Sequence, residues 1–232
     1  GSVNIQPKGG LTLHAGGFAE GVTKDNFTIL NNKDGVGYVR VSPYFMNKVP
    51  GTMPNITVQY TTRAKAGGAK DQVWQYVGAP GNNMQMSNDG VMVYLWSETD
   101  GWVYSNTNMT PFEGYALTRT AEGAETYSIV AQPIHDNQTI NLTKTANGMN
   151  GDNLFVNSYL APIDLTKFTT DGEDSDFTGN VEKTFYLFNS GSWNDWQGEN
   201  GEGANKIIKG ESAGKYYAIT PLGAALIDAN KE

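Results

Sequence analysis

Short apolar runs separated by turn residues dominate this sequence and constrain its fold more than any other feature. Stretches rich in Val, Ile, Tyr, Phe and Thr recur between clusters of Gly, Asn and Asp, whereas the spacing of an amphipathic helix is nearly absent. The pattern predicts an all-β chain built from β-sandwich or jelly-roll units. The predicted strands lie near 11–14, 27–30, 36–42, 56–64, 73–78, 91–96, 102–104, 114–119, 125–131, 138–143, 153–156, 184–188, 206–209 and 215–219. Helix-like composition is limited to 162–168 and 222–230.

Two aromatic motifs occur twice in the same order. The run VYLWSETDGW at 93–102 has the same plan as FYLFNSGSW at 185–193, with a strand, a small polar turn and a following Trp. Further along each half, GYAL at 114–117 matches YYAI at 216–219. The repeated order predicts an internal duplication of a β unit.

The duplication suggests a division of the chain. An N-terminal strand region covers 1–50, a first β unit covers 51–145, and a second, related β unit covers 146–232. The second unit then carries insertions at 167–180 and 197–205, and both are polar and rich in turn residues, as surface loops are. Two separate bodies and one continuous sandwich are both compatible with this spacing.

Composition excludes several classes of protein. A formal net charge of −8 over 232 residues argues against a nucleic-acid partner, because such domains display clustered Lys and Arg. No apolar run approaches the roughly 18 residues of a membrane-spanning helix. The chain has no Cys, so disulfides and thiolate metal sites are excluded.

Motifs in the same order along nearly the whole chain resemble a region found near the C-terminus of large secreted surface proteins of Bacteroidetes. They are IQPKGGLTLHAGG at 5–17, FTILNNKDGVGYVRV at 27–41, WQYVGAP at 74–80, VYLWSETDGW at 93–102 and NLFVNSYLAPIDL at 153–165. In the last motif VNSY replaces the usual Gly-Asn-Pro-Tyr, and the usual C-terminal ending is replaced by ITPLGAALIDANKE. The resemblance implies an extracellular or outer-membrane-associated surface location and a β-sandwich or jelly-roll region following a repetitive β segment. Some members are regarded as cell-adhesion domains, and the family has no single activity.

Enzymatic motifs are absent from the sequence. The two histidines, His14 and His135, do not occur in an HExxH spacing, and there is no GxSxG elbow. A carboxylate pair for glycoside cleavage stays open, because the separation of two acids is a three-dimensional property. We expect a protein that is not an enzyme and needs no cofactor.

An acidic loop provides one candidate metal site. Asp174, Asp176 and Thr178 place oxygen atoms at alternate positions before a Gly, as in the first half of an EF-hand loop. The position that should carry the closing Glu is Phe185. The loop is therefore either a solvated acidic insertion or a structural Ca²⁺ site completed by other oxygen ligands.

The tryptophans divide into two groups. We expect Trp74, Trp96 and Trp102 to seal the sandwich core, because Trp buries a large area. Trp193 and Trp196 instead stand in the polar sequence GSWNDWQGEN.

That polar stretch is the predicted ligand-binding site. Trp193 and Trp196 could stack on a pyranose ring while Asn194, Asp195 and Gln197 bond its hydroxyls. The resulting hypothesis is a non-catalytic extracellular surface module for adhesion or glycan contact, with a glycan or a host or cell-surface protein as partner. The alternatives are an accessory domain of a cell-surface carbohydrate-active enzyme and a structural spacer in a modular exported protein.

Overall fold

The computed structural model describes most of the first three quarters of the chain. The described residues are 1–13, 18, 21–32, 35–41, 53–62, 74–85, 90–105, 108–134, 136–169, 173, 175–179, 181–188 and 216–219. Within these ranges the protein is all-β, with fifteen strands and a single turn of 3-10 helix at Leu165–Lys167. The all-β prediction is therefore confirmed.

The strands follow one another closely along the chain. Their bounds are β1 (Val3–Ile5), β2 (Gly10–Leu13), β3 (Phe27–Ile29), β4 (Asn31–Asn32), β5 (Gly35–Val36), β6 (Tyr38–Val41), β7 (Ile56–Thr61), β8 (Gln75–Val77), β9 (Asn82–Gln85), β10 (Val91–Ser97), β11 (Gly101–Tyr104), β12 (Tyr115–Arg119), β13 (Thr126–Gln132), β14 (Phe185–Phe188) and β15 (Tyr216–Ile219).

The N-terminal strands form a repeating parallel arrangement. Strands β1, β3 and β7 stack in parallel, and β2 pairs in parallel with β6, so the chain alternates between two stacks. The register places Ile5 beside Ile29 and Ile29 beside Val58, which gives a continuous apolar ladder. The repetitive β segment that the resemblance implies for residues 1–50 stays a prediction.

Two larger sheets form the β-sandwich. A five-stranded sheet has the order β1-β3-β7-β13-β9, and an antiparallel four-stranded sheet has the order β11-β10-β12-β8. Val77, Val93 and Leu117 of the four-stranded sheet are buried with Tyr127 and Ile129 of β13. Because these residues alternate with outward-facing ones along each strand, one face of each sheet contributes to a common core.

The five-stranded sheet has a second cover on the same face. Ile56, Val58 and Tyr60 of β7 lie on the same face of the sheet. Tyr60 packs against the core shared with the four-stranded sheet. Ile56 and Val58 belong instead to a second hydrophobic cluster, which includes Val39 and the half-buried Leu11 of the β2–β6 sheet. The four-stranded sheet therefore covers one part of this face, and the β2–β6 sheet covers the other part.

The described residues from Ile163 onward belong to a second compact unit, whereas Gly1–Pro162 belong to the first. In the second unit β14 pairs antiparallel with β15. The rings of Phe168, Phe177 and Phe185 contact one another beside this pair, with centroids 5.1 to 6.2 Å apart. The division into 1–50, 51–145 and 146–232 stays a prediction, as does the duplication.

Some predicted elements differ from the structure. The segments at 138–143 and 153–156 are not strands, although Phe155 forms one isolated bridge with Glu113. Strands β1, β4 and β9 were not predicted by the pattern, because runs of two to four residues, consisting mostly of Asn and Gln in β4 and β9, give too little alternation. The predicted strand at 206–209 and the helix-like stretch at 222–230 lie outside the described residues.

Candidate contact surface

The outer face of the four-stranded sheet is lined with aromatic rings. Along β10 the side chains of Val93 and Leu95 point to the core, so Tyr94 and Trp96 point to the opposite face. Strand β11 and the segment around β8 place further rings on this face. The aromatic face consists of Trp74, Tyr76, Tyr94, Trp96, Trp102 and Tyr104.

Strand register brings these rings into contact. Trp96 lies directly opposite Trp102, with ring centroids 5.1 Å apart and planes at 69°. Tyr94 lies opposite Tyr104 in the same way, at 5.5 Å and 73°. Tyr76 stacks on Trp102 at 5.9 Å and 24°. Edge-to-face and offset contacts of this kind are the favoured geometries of aromatic pairs, so the rings support one another.

The most exposed rings of the aromatic face lie on β11 and β8. Tyr104 is 57 % exposed and Trp102 is 38 % exposed, and Tyr76 is exposed beside them. The expectation of a core position is wrong for Trp102. Trp74 and Trp96 are half-buried on the aromatic face and are not part of the sandwich core.

The alternation of β10 explains that correction. The narrow space between the two sheets is filled by Val93 and Leu117, so the opposite parity of Trp96 places it on the outer face. The alternation in VYLW already places Tyr94 and Trp96 on one side of the strand and Val93 and Leu95 on the other.

A segment of the chain covers one end of the aromatic face. Leu154 and Val156 lie against Gly114, which directly precedes β12, and Gly78, which directly follows β8. A Cβ atom on Gly78 would lie 2.8 Å from the Cβ of Val156, and one on Gly114 would lie 2.8 Å from the carbonyl oxygen of Leu154. The two glycines therefore let this segment, residues 149–156, approach the sheet.

Hydrogen bonds fix the covering segment in place. The indole Nε1 of Trp96 donates to the carbonyl oxygen of Asp152 at 2.7 Å, and the backbone N of Gly114 donates to the carbonyl oxygen of Leu154 at 3.0 Å. The covering segment thus forms a wall beside the exposed rings, and it holds Trp96 in a single orientation.

Glu98 anchors the loop that precedes this wall. Its Oε2 accepts from the backbone N and the hydroxyl of Thr145, each at 3.0 Å, and its Oε1 accepts from the backbone N of Gly151 at 3.0 Å. Burial raises the pKa of Glu98, but the hydrogen bonds from Gly151 and Thr145 outweigh it, so the pKa lies below its usual value. The carboxylate is a structural clamp, because its donors come from the protein itself.

Acidic and hydroxyl groups form the rim of the aromatic face. The hydroxyl of Ser97, directly after Trp96, bonds Asp100 Oδ2 at 3.2 Å. Asp100 is exposed in the turn between the two strands that carry Trp96 and Trp102, and Asp152 is exposed in the covering segment. Flat rings beside carboxylates can stack on an apolar surface while the rim accepts hydrogen bonds.

The aromatic face does not include the ligand-binding residues predicted from the sequence. Trp193, Asn194, Asp195, Trp196 and Gln197 all lie outside the described residues, so that site stays a prediction. His14 and His135 lie outside them as well.

The acidic loop of the second unit is described in part. Asp174 lies outside the described residues. Asp176 closes the loop: its Oδ2 accepts from the backbone N of Thr169 at 2.6 Å, and its own N donates to the carbonyl oxygen of Thr169 at 2.8 Å. Thr178 is exposed. Within the described part of the chain, no group of three or more His, Asp and Glu is placed to hold a metal ion.

Comparison with known proteins gives one informative similarity, to a fimbrial subunit of a Bacteroidetes species. That relative is the minor fimbrium subunit Mfa5 of Porphyromonas gingivalis, which is 31 % identical over 161 residues. The alignment covers 63 % of this chain and 12 % of that protein. No protein-family model matches the chain, and no solved structure matches it.

The similarity bears on the predicted resemblance. It supports the coarser statement that the chain resembles a surface protein of Bacteroidetes, whereas the assignment to a C-terminal-type region stays a prediction. Among the described residues, no helix has the length and apolar character needed to cross a membrane.

Proposed function

We propose that this chain is a non-catalytic extracellular surface module for adhesion and that the aromatic face is its contact surface. The observation that carries the proposal is the contiguous set of exposed rings on one face of the four-stranded sheet. Contiguous exposed apolar patches mark interaction sites in soluble domains. The similarity to a minor fimbrium subunit supports a location on the cell surface.

The geometry suits recognition without rearrangement. Trp96 is fixed by its bond to Asp152, and Trp102 is held between the rings of Trp96 and Tyr76. Side chains that are already ordered lose little entropy when a partner binds. Trp and Tyr are also enriched among the residues that dominate binding energy in protein interfaces.

A glycan is the finer candidate for the ligand. A pyranose ring could stack on Trp102 or Tyr104 while Asp100 and Asp152 accept hydrogen bonds from its hydroxyls. A host or cell-surface protein with an apolar segment and basic residues would fit the same surface. If the chain is an accessory domain of an enzyme, it should bind the substrate of the catalytic domain. If the chain is a structural spacer, it should bind no ligand.

The test compares rings on the aromatic face with exposed rings elsewhere. Binding to a glycan array and to immobilised cell-surface proteins is measured for the wild type, Trp102→Ala and Tyr104→Ala. Tyr216→Ala, which removes an exposed ring of β15, is the matched control. We expect each variant on the aromatic face to weaken binding by about tenfold or more and the control to bind normally.

Two results would reject this proposal. Binding that survives both substitutions would remove the aromatic face from the contact surface. Failure of the wild type to bind any glycan or surface protein would favour a spacer.

A further inference from the structure

One segment with a strand-forming sequence pairs with no strand of the described chain. Residues 137–145, with the sequence NQTINLTKT, run without a turn, bend or helix. Ile140 and Leu142 are 41 % and 42 % exposed. Within the described chain the peptide groups of 139–142 have no hydrogen-bond partner, although polar backbone groups in extended segments normally join a sheet.

The exposed segment is held at both ends. The hydroxyl of Tyr159 donates to the carbonyl oxygen of Asp136 at 2.9 Å. At the other end Thr143 N donates to Asn153 Oδ1 at 3.1 Å, and Asn153 Nδ2 donates back to Thr143 O at 2.8 Å. Thr145 N is bound by Glu98. These anchors keep the chain extended. The segment therefore loses less conformational entropy when a second strand pairs with it.

The anchors also determine which peptide groups face outward. In an extended chain the N–H and C=O groups of successive residues point alternately to opposite sides. Thr143 and Thr145 direct their peptide groups toward Asn153 and Glu98. By this alternation the peptide groups of Ile140 and Leu142 point to the other side, where a second strand can pair with them. The pairing stops before Gln138, because the backbone N of Gln138 already bonds the Tyr159 hydroxyl on that side.

The sequence of the segment matches itself in the antiparallel direction. If two copies align about Asn141, Thr139 lies opposite Thr143 of the partner, and Ile140 lies opposite Leu142 of the partner. Lys144 then lies diagonally across from Asp136 of the partner, which is an attractive pair. Four aliphatic side chains meet on one face, and no like charges lie directly opposite each other.

We propose that two copies of this chain associate through antiparallel pairing of residues 139–143 about a two-fold axis at Asn141. Ile140 and Leu142 form hydrogen-bonded pairs with Leu142 and Ile140 of the partner, and the two Asn141 residues form the central non-hydrogen-bonded pair. A contact of about five residues on each side is small, so the pairing is weak and depends on a high local concentration. The inference goes beyond adhesion, since it concerns contact between copies of the chain.

A cross-link at the axis tests the register. The chain has no cysteine, so each single Cys variant reports on one position. Asn141→Cys brings two thiols into a non-hydrogen-bonded pair whose Cα separation of about 4.5 Å is within disulfide range. Asn137→Cys, an exposed position in the same segment, is the matched control because it lies opposite Thr145 of the partner.

Under mild oxidation we expect covalent dimers of the Asn141→Cys variant to form at least tenfold faster than dimers of the control. Equal rates for the two variants would overturn the pairing.

A charge exchange tests the pairing independently of disulfide chemistry. Ile140→Lys and Leu142→Glu should each remain monomeric in sedimentation velocity at concentrations where the wild type shows dimers. In a mixture of the two variants, Lys at 140 of one chain faces Glu at 142 of the other, so dimers should reappear.

Three outcomes of the charge exchange would overturn the proposal. The first two are a monomeric wild type up to millimolar concentration, and a mixture of the two variants that fails to associate. Association of the wild type that both substitutions leave unchanged would place the contact elsewhere on the chain, and it would overturn the proposal equally.

Discussion

The pair formed by β10 and β12 and the pair formed by β14 and β15 have the same register along residues with matching sequence. Leu95 lies opposite Tyr115 in the first pair, and Leu187 lies opposite Tyr217 in the second. Moving along either pair, Tyr94 faces Ala116 and Tyr186 faces Ala218. The duplication predicted from the sequence would produce this coincidence, and it stays a prediction because a shared register does not by itself establish common descent.

The two pairs differ in what covers them. Leu95 of the first pair is half-buried because it packs against the sandwich core, whereas Leu187, at the corresponding position of the second pair, is 45 % exposed. Gly114, which admits Leu154 onto the first pair, corresponds in sequence to the exposed Tyr216. The comparison teaches that a short sequence motif can specify how two strands pair while other segments decide whether the pair becomes a core.

The largest expected effect comes from removing a core side chain of the first pair. Leu117→Ala should lower the free energy of unfolding by about 2 to 5 kcal/mol, because it leaves a cavity between the two sheets. Leu187→Ala, the same change at an exposed position of β14, should cost less than about 1 kcal/mol. Urea denaturation monitored by fluorescence measures both free energies of unfolding. Equal losses for the two variants would contradict the conclusion that only the first pair lies in a core.

An intermediate effect is expected at the glycine beneath the covering segment. Gly114→Ala places a methyl group against Leu154, so we expect a loss of about 1 to 3 kcal/mol. Faster hydrogen exchange of the amides at 149–156 should accompany the loss, because the segment must move away from the sheet. Tyr216→Ala at the corresponding position of the second pair should leave the melting temperature nearly unchanged. Normal protection of 149–156 in the Gly114 variant would show that the segment does not depend on the glycine.

The smallest effect is local and depends on pH. The folded-state pKa of Glu98 is lowered, so its hydrogen bonds stabilise the loop above the usual carboxyl pKa of 4.5. That contribution is lost as the pH falls through the lowered folded-state value. We expect amide protection at Thr145 and Gly151 to decrease below pH 4.5 in the wild type. In Glu98→Gln it should already be reduced at pH 7 and vary little with pH, whereas Glu122→Gln should behave as the wild type.

A pH-independent protection of the wild-type loop would contradict the clamp assigned to Glu98. It would mean that the bonds from Asn153 and Trp96 hold the loop without the carboxylate.

Alternating residues allowed much of the fold to be predicted. Long runs such as VMVYLWS and TYSIVAQ carry a clear two-residue period, and both are strands close to their predicted bounds. The segment QTINLT carries the same signal at 138–143, yet it is not paired within the described chain. Local alternation states that a segment can join a sheet, and it does not state which sheet.

The contact surface was harder to predict than the strands. The expectation that Trp102 lies in the core followed from the size of the side chain, whereas its position depends on facing Trp96 across a turn. Glu98 gave no sequence signal, because its role depends on donors 47 and 53 residues later in the chain. Contacts between residues so far apart in sequence arise from the packing of complete elements, which a local pattern does not contain.

The facing indoles of Trp96 and Trp102 have a spectroscopic consequence. Two rings 5.1 Å apart and inclined at 69° lie close enough for their electronic transitions to couple. Such coupling produces a paired positive and negative band in circular dichroism, and it disappears when either ring is removed or when β10 and β11 separate. The aromatic face therefore contains its own optical probe, which can follow the integrity of this surface in solution without a chemical label.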